Sequence, residues 1–102
     1  GMQATIYAKG DADAVRAYLA SFYANEPFVH VLAQGEVPQT QHVKVSNICR
    51  IAVFADRQAG RVIILSVLDN LMKGASGQAL QNANIMLGLP ETAGLGMVPM
   101  FP

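Results

Sequence analysis

Two apolar runs joined by the polar turn Asp56-Arg57-Gln58-Ala59-Gly60 constrain this chain more than any other feature in it. From Ser46 to Ala55 the residues alternate, with Cys49, Ile51 and Val53 on one face and Arg50, Ala52 and Phe54 on the other. That period of two is the pattern of a β-strand. The turn closes on glycine and suits a hairpin. Its second arm, Arg61 to Leu68, is a near-continuous run of branched residues, which predicts a central strand covered on both faces.

The flanking segments complete the architecture. Gln3 to Ala8 alternates and reads as a strand, and Gly10-Asp11 then caps a helix. In that helix Val15, Tyr18, Leu19 and Phe22 fall at i, i+3, i+4 and i+7 and predict one apolar stripe, ended by Asn25 and Pro27. Phe28 to Leu32 returns as a short strand, so the first part is a strand–helix–strand unit. Gln34 to Gln41 carries Gly35 and Pro38 among polar residues and reads as a surface loop. A second helix is predicted from about Ala75 to Leu87, stopped by Gly88 and Pro90, before an irregular tail from Glu91 to Pro102. The order β-α-β-β-β-α makes residues 1–102 a single α+β domain, with two helices on a mixed or mostly antiparallel sheet.

Composition narrows the partners. Apolar residues make up 52% and charged residues 14% of the chain, against about 45–50% and about 25% in ordinary domains. So apolar a chain is expected to cover part of its surface with another chain or domain, most simply as a homo-oligomer. Net charge is zero and no basic run occurs, which argues against nucleic acid as a partner. The longest apolar stretch, Val62 to Met72, is interrupted by Ser66, Asp69 and Asn70, so no membrane span is expected. One cysteine cannot form an internal disulfide, which fits a reducing, cytoplasmic setting.

The few residues that could carry chemistry give little. Cys49 sits within a strand beside Ile48 and reads as a small buried hydrophobe, with Arg50 pointing to the opposite face. His30 and His42 have no carboxylate or cysteine at a spacing that makes a relay or a metal site. No catalytic residue and no metal ligand is therefore assigned. The strongest candidate is the turn Lys73-Gly74-Ala75-Ser76-Gly77, which follows an Asp69-Asn70 cap. It sets a cation, small residues and free backbone N–H groups at a helix N-terminus, a favourable place for an anion. Gln78, Gln81, Asn82 and Asn84 give the helix an exposed amide-rich side. Composition leaves this turn balanced between a ligand-binding site and a device for tight helix packing.

Three segments carry a resemblance to a known family. Gly1-Met2-Gln3-Ala4-Thr5-Ile6-Tyr7, then Val37-Pro38-Gln39-Thr40 with Val43 and Ser46-Asn47-Ile48-Cys49, and above all Asp69 to Asn84 followed by Gly88, Glu91, Thr92, Gly94 and Leu95, resemble the rear of the N-acetyl-gamma-glutamyl-phosphate reductases. Val45 departs from the pattern, since the family usually has glycine before the Ser-Asn pair. The resemblance implies the C-terminal part of the catalytic and dimerisation domain of aldehyde/semialdehyde dehydrogenase-type enzymes. It implies NADP as cofactor and arginine biosynthesis as the setting. In that family a cysteine thiolate displaces phosphate from the acyl phosphate, hydride reduces the thioester, and a histidine handles protons.

By the same resemblance, Lys73, Gly74, Ala75 and Asn82 approach the cofactor, and Asn47 lies near substrate. The glycine-rich dinucleotide loop, the cysteine and the histidine are expected in a preceding nucleotide-binding part, so the chain is read as a fragment that is not active alone. Gly1-Met2 fits either a tag remnant before a start methionine or the family's native Gly-Met. The alternative from another class is a stand-alone, non-catalytic α+β dimerisation module derived from the same family.

Overall fold

The computed structural model describes residues 1–99; Met100 to Pro102, the end of the tail read as irregular, lie outside the described residues. In chain order come strand β1 (Met2–Lys9), helix α1 (Ala12–Phe22), strand β2 (Val29–Val31) and a 3-10 turn (Thr40–Val43). Strands β3 (Cys49–Ala55) and β4 (Arg61–Leu68), a π-helical turn (Met72–Ser76) and helix α2 (Gly77–Met86) follow. The sheet order is β1-β4-β3-β2, with β4 antiparallel to both β1 and β3, and β2 parallel to β3. The fold is the mixed-sheet α+β arrangement that the alternation predicts.

The hairpin forms where the polar turn places it. Ala55 pairs with Val62, and Gly60 takes φ +77°, a conformation that costs glycine little. The β3 strand begins at Cys49 rather than Ser46, because Ser46 and Asn47 turn inward and are fully buried. Helix α1 links the two edge strands and lies against β2, β3 and β4. Asp11 caps it by accepting the Ala14 N–H at 3.0 Å. Its predicted stripe splits: Val15 and Leu19 are half-buried, whereas Tyr18 and Phe22 stack on each other in solvent, 6.1 Å apart. Strand β2 is only three residues long, too narrow a floor for the whole stripe.

Strand β4 is central, yet its coverage is uneven. Val62 and Val67, which point to opposite faces, are fully buried, while Ile63, Ile64, Leu65 and Ser66 remain half-exposed. The 3-10 turn lies against β4 and brings in fully buried Val43. With Phe28, Leu32, Ala52, Val53 and Leu95 these residues make the core. Each fully buried valine contributes about 1.5–3 kcal/mol. Strand β1, by contrast, leaves seven of its eight residues exposed.

Candidate functional site

The second helix does not start where the glycine pattern predicts. Met72 to Ser76 winds as a π-helical turn, and regular α-helix begins at Gly77. The wider winding is visible in the hydrogen bonds from Gly74 N–H to the Asp69 carbonyl at 3.0 Å and from Ser76 N–H to the Leu71 carbonyl at 3.1 Å. Ser76 Oγ also donates to that Leu71 carbonyl, at 2.8 Å. The expected row of free N–H groups is therefore largely used up inside the turn.

The anion at this end of the helix is the protein's own. Asp69 accepts the N–H groups of Leu71 at 2.8 Å and Met72 at 3.2 Å, as the Asp-Asn cap predicts. It also accepts the Val45 N–H at 2.7 Å, across the fold. The Val45 N–H above all holds the Asp69 carboxyl below the usual carboxylate range; desolvation opposes it, and the N–H groups of Leu71 and Met72 add to the lowering. Val45 has φ +62°, and it is the sole non-glycine residue in that region among the described residues. This is the position where the resembled family usually has glycine; a β-branched side chain there is strained.

Behind the turn lies a connected set of polar side chains. Lys73 Nζ donates to Gln81 Oε1 at 2.6 Å, and Asn47 Nδ2 donates to the same oxygen at 3.0 Å. The other end of Gln81 donates from Nε2 to Glu91 Oε2 at 2.5 Å. Asn84 Nδ2 holds the tail by donating to the carbonyls of Glu91 at 3.1 Å and Ala93 at 3.0 Å. The Lys73 ammonium also stands 5.4 Å from the centre of the Phe28 ring. Burial pushes the Lys73 pKa down; Cys49, Glu91 and Glu26 oppose that shift from a distance.

Gly77 makes this set possible. A Cβ there would stand 2.3 Å from Asn47 Oδ1 and 2.7 Å from the Met72 carbonyl oxygen. Asn47 is fully buried, and its Oδ1 has no hydrogen-bond partner. Gly74 is less crowded, with a Cβ position 3.3 Å from Leu68.

Of the residues singled out in the sequence, the structure joins Lys73 and Asn47 through Gln81. Gly74 and Ala75 are exposed on the turn beside Lys73. Asn82 is exposed and not bonded into this set, with its Oδ1 accepting from Gln78 Nε2 at 3.2 Å. The amide-rich side is not one solvent face: Gln81 is 7% and Asn84 3% exposed, and both act inside the fold. Cys49 is half-buried at the start of β3 rather than enclosed, with its Sγ 3.3 Å from Ser66 Oγ. His30 is exposed and His42 half-buried, and the described residues hold no metal-binding group of His, Cys, Asp and Glu. No helix of the described residues is long and apolar enough to cross a membrane.

Glu91 and Phe28 had no functional part in the sequence reading, and Gln81 entered it only as one amide of the side read as exposed. One signal for Gln81 was present: Lys73, Gly77 and Gln81 recur every four residues and so share a helix face. Leu80, Ile85 and Met86 on α2, and Leu87 and Leu89 just after it, are all at least 41% exposed.

Comparison with known proteins bears on the whole chain. The family model described as "Semialdehyde dehydrogenase, dimerisation domain" matches residues 1–70. The N-acetyl-gamma-glutamyl-phosphate reductase of Ruegeria pomeroyi is 61% identical over 102 residues, which are 100% of this chain and 30% of that protein. That of Paracoccus denitrificans is 56% identical, again over 100% of this chain and 30% of the relative. A probable chloroplastic N-acetyl-gamma-glutamyl-phosphate reductase from Arabidopsis thaliana is 56% identical over 100% of this chain and 26% of its own length. The chain thus spans under a third of the length of these relatives.

Proposed function

The chain belongs to the semialdehyde dehydrogenase dimerisation-domain family, and on that premise we propose that it supplies the dimerisation domain and one wall of the ligand cleft of an NADP-dependent N-acetyl-gamma-glutamyl-phosphate reductase. The observation that carries this reading is the convergence of Lys73 and Asn47, distant in sequence, on one buried amide, Gln81. Packing alone does not call for a half-buried ammonium there. The setting is arginine biosynthesis in the cytoplasm, and the nucleotide-binding domain, catalytic cysteine and histidine belong to sequence beyond these 102 residues.

The residues present fit a phosphorylated dinucleotide. Lys73 has no carboxylate within ion-pairing distance among the described residues, so its charge is available to an anion. Gly74 and Ala75 add almost no bulk beside it and allow close approach. The exposed carboxamide of Asn82 offers both a donor and an acceptor to an amide or ribose group. Asn47, fully buried, supports the site through Gln81 rather than from its surface. NADPH, when bound, supplies hydride; these side chains bind, orient and exclude water.

The test is Lys73→Ala in the protein that carries this chain, assayed by phosphate-dependent oxidation of the semialdehyde. A rise of about tenfold in the KM for NADP+, for one lost charge-assisted contact of about 1.4 kcal/mol, is expected. Unchanged KM and kcat would remove Lys73 from the cleft. The alternative, a non-catalytic dimerisation module, has the exposed β1 strand in its favour. It requires the 102-residue chain to form a stable dimer in solution that does not respond to dinucleotide.

A further inference from the structure

The Gln81 side chain meets three demands at once, which takes a carboxamide on a side chain of this length. Its carbonyl oxygen accepts from both Lys73 Nζ and Asn47 Nδ2, while its NH2 group donates to the Glu91 carboxylate. The chemistry of the neighbours fixes its orientation: an ammonium must face the oxygen, and a carboxylate must face the nitrogen. Glu91 is thereby tied up by an amide instead of pairing with Lys73. The ammonium is left with neutral partners only, this carbonyl and the face of Phe28. A glutamate at the same position would cancel the charge, and an aliphatic residue would leave both donors unsatisfied in a buried place.

We propose that Gln81 is a positioning residue, which holds the Lys73 ammonium uncompensated and aimed at an anionic phosphoryl group of a bound ligand. This rests on the reading of Lys73 as a cleft residue, and adds the ligand chemistry and the residue that maintains it. The charged and titratable groups around Lys73 are Cys49 on β3, Glu26 after α1 and Glu91 in the tail. None of them replaces Gln81 as the direct partner.

The experiment, run in the protein that carries this chain, follows the 13Cε resonances of Lys9, Lys44 and Lys73 against pH, with Lys73 assigned through Lys73→Arg. Gln81→Glu is expected to raise the Lys73 midpoint by about one unit or more, since it places a carboxylate where the carbonyl was. Gln81→Met is expected to lower it, because the acceptor is lost and burial remains. Lys9 and Lys44 serve as unmoved references. A purely structural role for Gln81 would change stability without shifting Lys73 in opposite directions; that outcome overturns the proposal. Should Gln81→Met fail to fold, judged by amide dispersion, an unmoved or lowered midpoint in Gln81→Glu overturns it alone.

At a pH below the Lys73 midpoint, inorganic phosphate and NADP+ are then titrated into wild type and Gln81→Glu. A Lys73 response to both, weakened at least tenfold in Gln81→Glu, supports a general phosphoryl site, and a response to NADP+ alone makes the dinucleotide the source. The expected midpoints without any anion response overturn the cleft reading of Lys73, whereas an anion response equal in both proteins overturns the role of Gln81.

Discussion

Replacing Gly77 by alanine sets two effects of opposite sign against each other. In an open helix the exchange would add about 1 kcal/mol of stability, the difference in helix propensity. At this position the new methyl carbon would lie 2.3 Å from Asn47 Oδ1 and 2.7 Å from the Met72 carbonyl oxygen. The second contact is backbone, so no change of rotamer relieves it; the π-helical turn itself has to move. Asn47 is fully buried and bonded to Gln81, so it cannot swing out freely. Overpacking of this kind costs about 1–3 kcal/mol, and losing the buried Asn47–Gln81 bond adds about 1–3 kcal/mol. Set against the propensity gain, the net expectation is a loss of about 1–5 kcal/mol. Urea unfolding of wild type and Gly77→Ala, compared at constant m-value, measures it. Adding Asn47→Ala should recover only part of the loss, because the Met72 carbonyl stays in the way. A Gly77→Ala protein as stable as wild type, or more so, would refute the close approach of Asn47 and Met72 from which the cost is worked.

Other perturbations have equally definite outcomes. Asp69→Ala removes the acceptor of three backbone N–H groups and should cost about 1–2 kcal/mol, with faster amide exchange at Val45, Leu71 and Met72. Because the folded-state pKa of Asp69 is lowered from 3.8, its contribution is present above that pH and lost as pH falls through the folded value; urea midpoints at graded acid pH should show a loss that Asp69→Ala lacks. Val45→Gly should stabilise by about 1 kcal/mol, since relief of a left-handed β-branched residue, about 2 kcal/mol, exceeds the entropy glycine costs, about 1 kcal/mol; a lower melting temperature would contradict this. Lys73→Met should raise stability at neutral pH by up to about 1 kcal/mol while weakening the response to NADP+ about tenfold. The folded-state Lys73 pKa is below 10.5, so wild-type stability should climb as pH rises from the folded value toward 10.5, and that climb should vanish in Lys73→Met.

The strands were legible in the sequence because a period of two is local information. Arg61 to Leu68 and its polar turn needed no knowledge of the rest of the chain. Coverage was not legible, since the burial of Val62 and Val67 depends on which element crosses each face. The same limit applies to α1, where the spacing of Tyr18 and Phe22 is right for a core stripe and the narrow β2 edge leaves them outside. The candidate site was half visible. Lys73, Gly74 and the Asp69 cap stand together in the chain, but Asn47 and Glu91 arrive from elsewhere, and their meeting at Gln81 is a tertiary fact. The π-helical turn escaped the helix signals because glycine and alanine leave the winding to tertiary packing. The glycine expected in place of Val45 did mark a position where the backbone is left-handed.

Strand β1 bears on how this polypeptide behaves at the bench. Met2, Ile6 and Tyr7 are 53%, 47% and 60% exposed, at the rim of the sheet, with no proline to interrupt the strand and Lys9 as its sole charge. A rim of that kind is a ready template for further strands, and self-association through it grows with concentration. Precipitation of the purified polypeptide on storage should therefore begin at Met2 to Ala8, and a lysine in place of Thr5 is the economical remedy to try first.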